Sequence, residues 1–163
     1  MSKFKNNRKE AFVRSIPTQE LATVGDRLTN RCKFNFHYFV PSVPGQDWSD
    51  WGIDGLAKLL RKLQWYSEKS LAEWCNEVAG GHRLLAFYNE FPLRSDFSHP
   101  INVPHDVRWG RFRLEQKVRL VGFIVPTDRD RKEHAGTKQL FCTNTFYVVF
   151  LDRDHRFYLT EKP

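Results

Sequence analysis

From Cys32 to Val40 apolar and polar positions alternate. Cys32, Phe34, Phe36, Tyr38 and Val40 fall on one face, and Lys33, Asn35, His37 and Phe39 on the other. That period of two predicts a half-buried strand. Pro41, Pro44 and Gly45 then forbid its continuation. Beyond Asp54 the period changes. Leu56, Leu59, Leu60 and Leu63 recur at helical spacing, with Asp54 placed to cap the helix. A second helical stretch carries the stripe Leu71, Trp74, Cys75 and Val78; Ser70 with Glu73 matches a capping box, and Gly80 is its expected stop. Only a short joint near Trp65 and Tyr66 separates the two, which predicts a helical hairpin. Upstream, Thr18 opens a short helical pattern that Gly25 ends.

The second half of the chain reads as strands. His82–Tyr88 predicts one. Residues 89–106, with Pro92, Pro100 and Pro104, predict a long loop. "VRWGRFRL", "KVRLVGFIV" and "TFYVVFL" are rich in β-branched and aromatic residues and predict three more strands. Glu115 and Gln116 mark a tight turn between the first two. Residues 126–139 are charged, nearly free of apolar residues and carry Gly136, which predicts a mobile excursion. After Leu151, Asp152-Arg153-Asp154 predicts a turn, and residues 155–159 a short returning edge strand. The expected fold is α+β: an antiparallel sheet of about four to six strands with a helical hairpin packed on one face. It would occupy residues 16–163 as one domain behind a basic arm at residues 1–15.

Composition narrows the class. At 163 residues, with 14 Phe, 5 Trp and 5 Tyr, the chain can bury a core without disulfide staples. Cys32, Cys75 and Cys142 form no CxxC pair and no zinc spacing, which suits reduced thiols in the cytoplasm. The basic N-terminus lacks the apolar run of a signal peptide, and no stretch of about 18 apolar residues predicts a membrane span. The net charge is +7, unevenly placed: residues 1–40 and 107–163 each carry an excess of five positive charges, and 41–106 an excess of three negative. Such ends favour polyanions, nucleic acid first and an acidic protein second.

No phosphate-binding GxxxxGK[ST] loop, GxGxxG fingerprint, HExxH or GxSxG motif occurs, so no cofactor is predicted. Asp128 with Asp130, and Asp152 with Asp154, sit in turn sequences that favour aspartate for its bonds to nearby backbone. His99 and His105 have no metal spacing to a carboxylate, and no metal is predicted. The basic residues of the strands say more. Arg108, Arg111, Arg113, Lys117 and Arg119 interleave with Trp109, Phe112 and Leu114. Alternation puts Arg111 with Arg113, and Lys117 with Arg119, on shared faces of adjacent strands. Clustered like charges are costly unless an anion neutralises them, so these five are the candidate nucleic-acid-binding residues. His155, Arg156 and Tyr158 lie just past a strand end. Cleavage of RNA by its own 2′-hydroxyl needs a base, a cation for the phosphorane and an acid for the leaving oxygen, and no metal. His155 suits acid or base work, Arg119 and Arg156 the cation, and Tyr158 an assisting or stacking role. A histidine in a turn also commonly serves structure alone.

The segments "GRFRLEQKVRLVGFIV" and "TFYVVFLDRDHRFY" resemble the C-terminal strand pair of uncharacterised small bacterial proteins. The order of helix pair, arginine-bearing antiparallel strands and terminal edge is also similar to that of RelE/ParE-like toxins. That resemblance covers roughly the last 55 residues. It implies a ribosome-dependent mRNA endonuclease neutralised by an antitoxin, with Arg119 and His155 on the RNA-facing side of the sheet. The chain departs from the toxin pattern in its length, in its strand before the helices and in its 126–140 insertion. Val121 stands where the small bacterial set often has His. Two other readings remain beside the toxin-type endoribonuclease. One is a non-catalytic module that binds nucleic acid or an acidic protein, needing the cationic face but not His155. The other is a structural subunit of a larger assembly.

Overall fold

The computed structural model describes residues 7–17 and 27–159. The helix expected from Thr18, and the first six residues of the basic arm, lie outside them. The rest of the arm forms helix α1 (Asn7–Ser15), which has no buried residue. Strand β1 (Lys33–Asn35) follows, then helices α2 (Gly52–Tyr66) and α3 (Leu71–Asn76). Next come β2 (Val78–Ala79), β3 (His82–Arg83), β4 (Leu85–Phe87), β5 (Arg108–Arg113), β6 (Arg119–Ile124) and β7 (Thr145–Asp152). Five strands make one sheet in the order β1-β7-β6-β5-β4, while β2 and β3 pair separately. The fold is α+β, and the sheet is antiparallel except where β1 runs parallel to β7.

Both faces of the sheet are covered. On the first, Leu85, Phe112, Leu120, Phe146, Val148 and Leu151 pack with Leu59, Leu63 and Tyr66 of α2 and Leu71 and Trp74 of α3. Tyr66 and Trp74 are almost wholly buried, and their polar atoms are matched: the Tyr66 hydroxyl donates to the Arg113 carbonyl, and the Trp74 indole N–H to the Tyr66 carbonyl at 2.6 Å. Burial of such rings is the dominant stabilising term here, roughly 1.5–3 kcal/mol for each large apolar side chain. Cys32 lies in the same core, where burial pushes its thiol up to about 12; it is a packing residue and no nucleophile. On the second face, Trp109, Val121, Phe123, Val149 and Phe150 pack against Phe97, Val103 and Phe157. The proline-rich loop at 89–106 thus works as a lid on the sheet, pinned by Phe97 and Val103.

Several expected elements change form. The strand from Cys32 keeps only three residues, because a turn with Phe39 N–H bonded to the Phe36 carbonyl reverses the alternation. Phe39 then packs with the first core, whereas Tyr38 and Val40 pack with the second. Helix α2 starts at Gly52, before Asp54, behind a capping box formed by Asp47 and Asp50. The Ser70–Glu73 capping box forms as expected. Its helix, however, is six residues long and yields to the β2–β3 ribbon, whose turn uses Gly80 and Gly81 at φ 58 and 78. The helical hairpin expected on one face is therefore not confirmed: one long helix, with Leu59, Leu63 and Tyr66 buried, is followed by one of only six residues. Residues 155–159 form bends, and no edge strand. The 126–139 excursion is a hydrogen-bonded loop, with Arg131 N–H bonded to the Phe141 carbonyl and Phe141 N–H to that of Lys132.

Candidate functional site

Strand register brings the arginines together. Arg113 pairs with Arg119, which pairs with Asp152, so these three form one row across β5, β6 and β7. The next row of that face is Ala86, Arg111, Val121 and Phe150. A register shift between β6 and β7, at Val121 and Gly122, decides this arrangement. It inserts Val149 into β7, turns Phe150 and Asp152 onto the second face and Leu151 onto the first, while Val148 before it is unaffected. A bulge re-aims every later side chain of its strand. Without it, Asp152 would face the helices.

Each arginine has a distinct environment. Arg119 is only 7% exposed. Its Nη1 donates to the carbonyls of Glu115 (3.0 Å), Gln116 (2.7 Å) and Val118 (2.9 Å), which stitches the β5–β6 turn together. Its Nε is buried without a hydrogen-bond partner. Burial first, then the nearby Arg111 and Arg113, depress its pKa to about 10. Arg111 is half-buried, and its Nε donates to the Tyr88 hydroxyl at 2.8 Å. Arg113 is half-buried beside Arg119. Among the described residues, no carboxylate forms an ion pair with Arg111, Arg113 or Arg119; the ion pairs lie elsewhere.

Asp152 holds the segment that carries His155. It is 1% exposed, and its two oxygens accept from the backbone N–H groups of Arg156 and Phe157, both at 2.9 Å. Phe157 then anchors the segment in the second core. Between these restraints His155 adopts φ 62, in the left-handed region that histidine enters more readily than branched residues. The ring is half-buried. Burial, Arg119 and Arg111 lower its pKa below the ordinary 6.5, with Asp152 opposing. Its surroundings therefore favour the neutral imidazole, the form able to accept a proton.

Tyr88, which the sequence reading left unassigned, completes the cluster. Its ring stacks on Tyr158 at 5.0 Å and 17°. Burial raises its pKa, and Arg111 opposes this. Because its oxygen accepts from Arg111, its own proton remains available to another acceptor. The signal was present but indirect: Tyr88 lies two residues beyond Ala86, and Ala86 pairs with Arg111.

Three predicted site residues stand elsewhere or serve other ends. Arg108 belongs to the opposite face, its guanidinium 4.8 Å from the Phe87 ring centre, because it is out of step with Arg111 and Arg113 along β5. Lys117 lies in the exposed turn, outside β6, since the strand starts only at Arg119. Arg156 is bound to Asp96 at 2.7 Å and fixes the 153–157 segment to the lid loop. Tyr158, 39% exposed, is the stacking partner of Tyr88. His99 and His105 stack on each other at 4.9 Å. Among the described residues no group of three or more His, Cys, Asp or Glu is placed to hold a metal, and no helix is long and apolar enough to cross a membrane. No family model matches the chain, and neither a curated protein nor a solved structure matches it.

Proposed function

We propose that this protein is RNA-directed and acts as a metal-independent endoribonuclease of toxin type in the cytoplasm. RNA, free or on the ribosome, is its substrate, and an acidic antitoxin-like protein is the kind of partner its charge suits. One observation carries this reading: among the described residues three arginines share one sheet face with no carboxylate in ion-pair contact, Asp152 being their one acidic neighbour in the row, beside an imidazole whose neutral form is favoured. Buried like charges are tolerated where an anion completes them. Arg111 and Arg113 hold the phosphate. Arg119 acts as a positioning residue: its Nη1 is engaged by the turn, and its charge adds to burial in favouring the neutral form of His155. His155 takes the 2′-hydroxyl proton, the 2′-oxygen attacks phosphorus, and the leaving 5′-oxygen takes a proton from Tyr88 or water. The Tyr88–Tyr158 stack offers a flat surface to an unstacked base.

The test measures RNA cleavage, free and on ribosomes, together with binding. His155→Ala is expected to lose about 100-fold or more in cleavage while RNA affinity is retained. Cleavage should rise with pH and level off, with its midpoint below pH 6.5, because the base must be unprotonated and its pKa is depressed. Arg111→Ala and Arg113→Ala should each weaken binding and reduce its salt slope by about one. Wild-type protein that binds RNA but never cleaves it is a non-catalytic binding module. Protein that does neither, yet purifies within a larger assembly, is a structural subunit.

A further inference from the structure

The excursion between β6 and β7 borders an open cleft. His134 N–H bonds to the Gln139 carbonyl at 2.8 Å and Glu133 bridges to Leu140, so the loop is closed on itself. Between it, the 104–107 segment and β7 lies a space of about 450 Å³. That is within the range of roughly 300–1,000 Å³ that accommodates small organic ligands. Its lining mixes rings and hydrogen-bonding groups: Tyr38, Tyr147, Phe141 and His134, with Arg129 and Asp106. Arg129 Nη2 donates to one oxygen of Asp106 at 2.7 Å, and both side chains remain partly exposed. The pair therefore shows a carboxylate acceptor directly beside guanidinium donors.

That pattern selects among planar ligands. Guanine presents an acceptor, O6, next to two donors, N1–H and the N2 amino group. It matches the guanidinium and the carboxylate together. Uracil offers one N–H between two carbonyls. Adenine and cytosine can set a ring nitrogen against the guanidinium but offer the carboxylate a single amino donor, where guanine offers it two adjacent ones. We propose that this cleft binds a guanine base, with Asp106 accepting from N1–H and N2–H, Arg129 donating to O6, and the ring held among Tyr38, Phe141 and Tyr147. The proposal builds on the RNA reading, because it seats a base on the same sheet face as the phosphate-binding arginines. Tyr147 and Asp152 are about 14 Å apart along β7, because their partners Phe123 and Arg119 are four strand steps apart on β6.

The experiment titrates guanosine, adenosine, cytidine and uridine, with ribose as control, by calorimetry on the whole chain. Guanosine is expected to bind about tenfold more tightly than the other nucleosides, and ribose not at all. Asp106→Ala and Arg129→Ala should each weaken guanosine binding about tenfold, with the melting temperature unchanged, since both are surface residues. Arg111→Ala should leave it untouched. Equal binding of all four nucleosides, no binding of guanosine, or loss on Arg111→Ala alone overturns the proposal. RNA binding without guanosine binding defeats this site only; guanosine binding without RNA binding defeats the RNA reading only.

Discussion

Gly122→Ala is expected to destabilise the protein by about 3 kcal/mol or more, the largest effect of any single added methyl group here. A Cβ at this position would stand 2.1 Å from the Tyr147 carbonyl oxygen and 2.8 Å from the Phe146 ring. The oxygen belongs to the backbone of β7 at the centre of the sheet, so relief requires the two strands to part. Gly122 also adjoins the register shift that turns Asp152 toward Arg119. Its pairing partner, Gly110, is the internal control. A methyl group there meets chiefly the half-buried Phe87 ring, at 2.5 and 2.8 Å, and a side chain can rotate away. Urea unfolding of both variants measures the difference. A Gly122→Ala midpoint no lower than that of Gly110→Ala would show that the strands yield easily at the bulge.

Asp152→Ala is expected to cost about 3 kcal/mol and to release the segment that carries His155. The buried N–H of Phe157 and the part-buried N–H of Arg156 would lose their acceptors, at about 1–3 kcal/mol for a buried group left unsatisfied. Arg119 would also lose the negative charge beside it on β7. Asp152→Asn keeps one acceptor and should fall between wild type and alanine. Amide hydrogen exchange gives a reading that a general loss of stability does not mimic. Protection at residues 156 and 157 should drop well before protection in β5 and β6. Uniform loss across the sheet would mean that Asp152 supports the whole strand, and not this segment in particular. RNA cleavage, where present, should fall with that protection, because His155 keeps its orientation only while its two flanking restraints hold.

Much of the local structure is legible in the residues. Strands β5, β6 and β7 announce themselves by β-branched and aromatic content, Ser70 and Glu73 by their spacing, and the shared face of Arg111 and Arg113 by simple alternation. Each is set by chain neighbours, whose geometry repeats at fixed intervals. The site needed more. Alternation through "TFYVVFLD" puts Asp152 on the helix side, and only the inserted Val149 reverses it. Counting charges treats Arg119 as a solvent-facing cation, whereas three turn carbonyls draw it inward. Tyr88 joins the arginines because β4 pairs with β5, and β1 lies beside β7 because segments over a hundred residues apart pack together. Those arrangements follow from filling space on both faces of one sheet, a condition that no periodicity within a single segment can express.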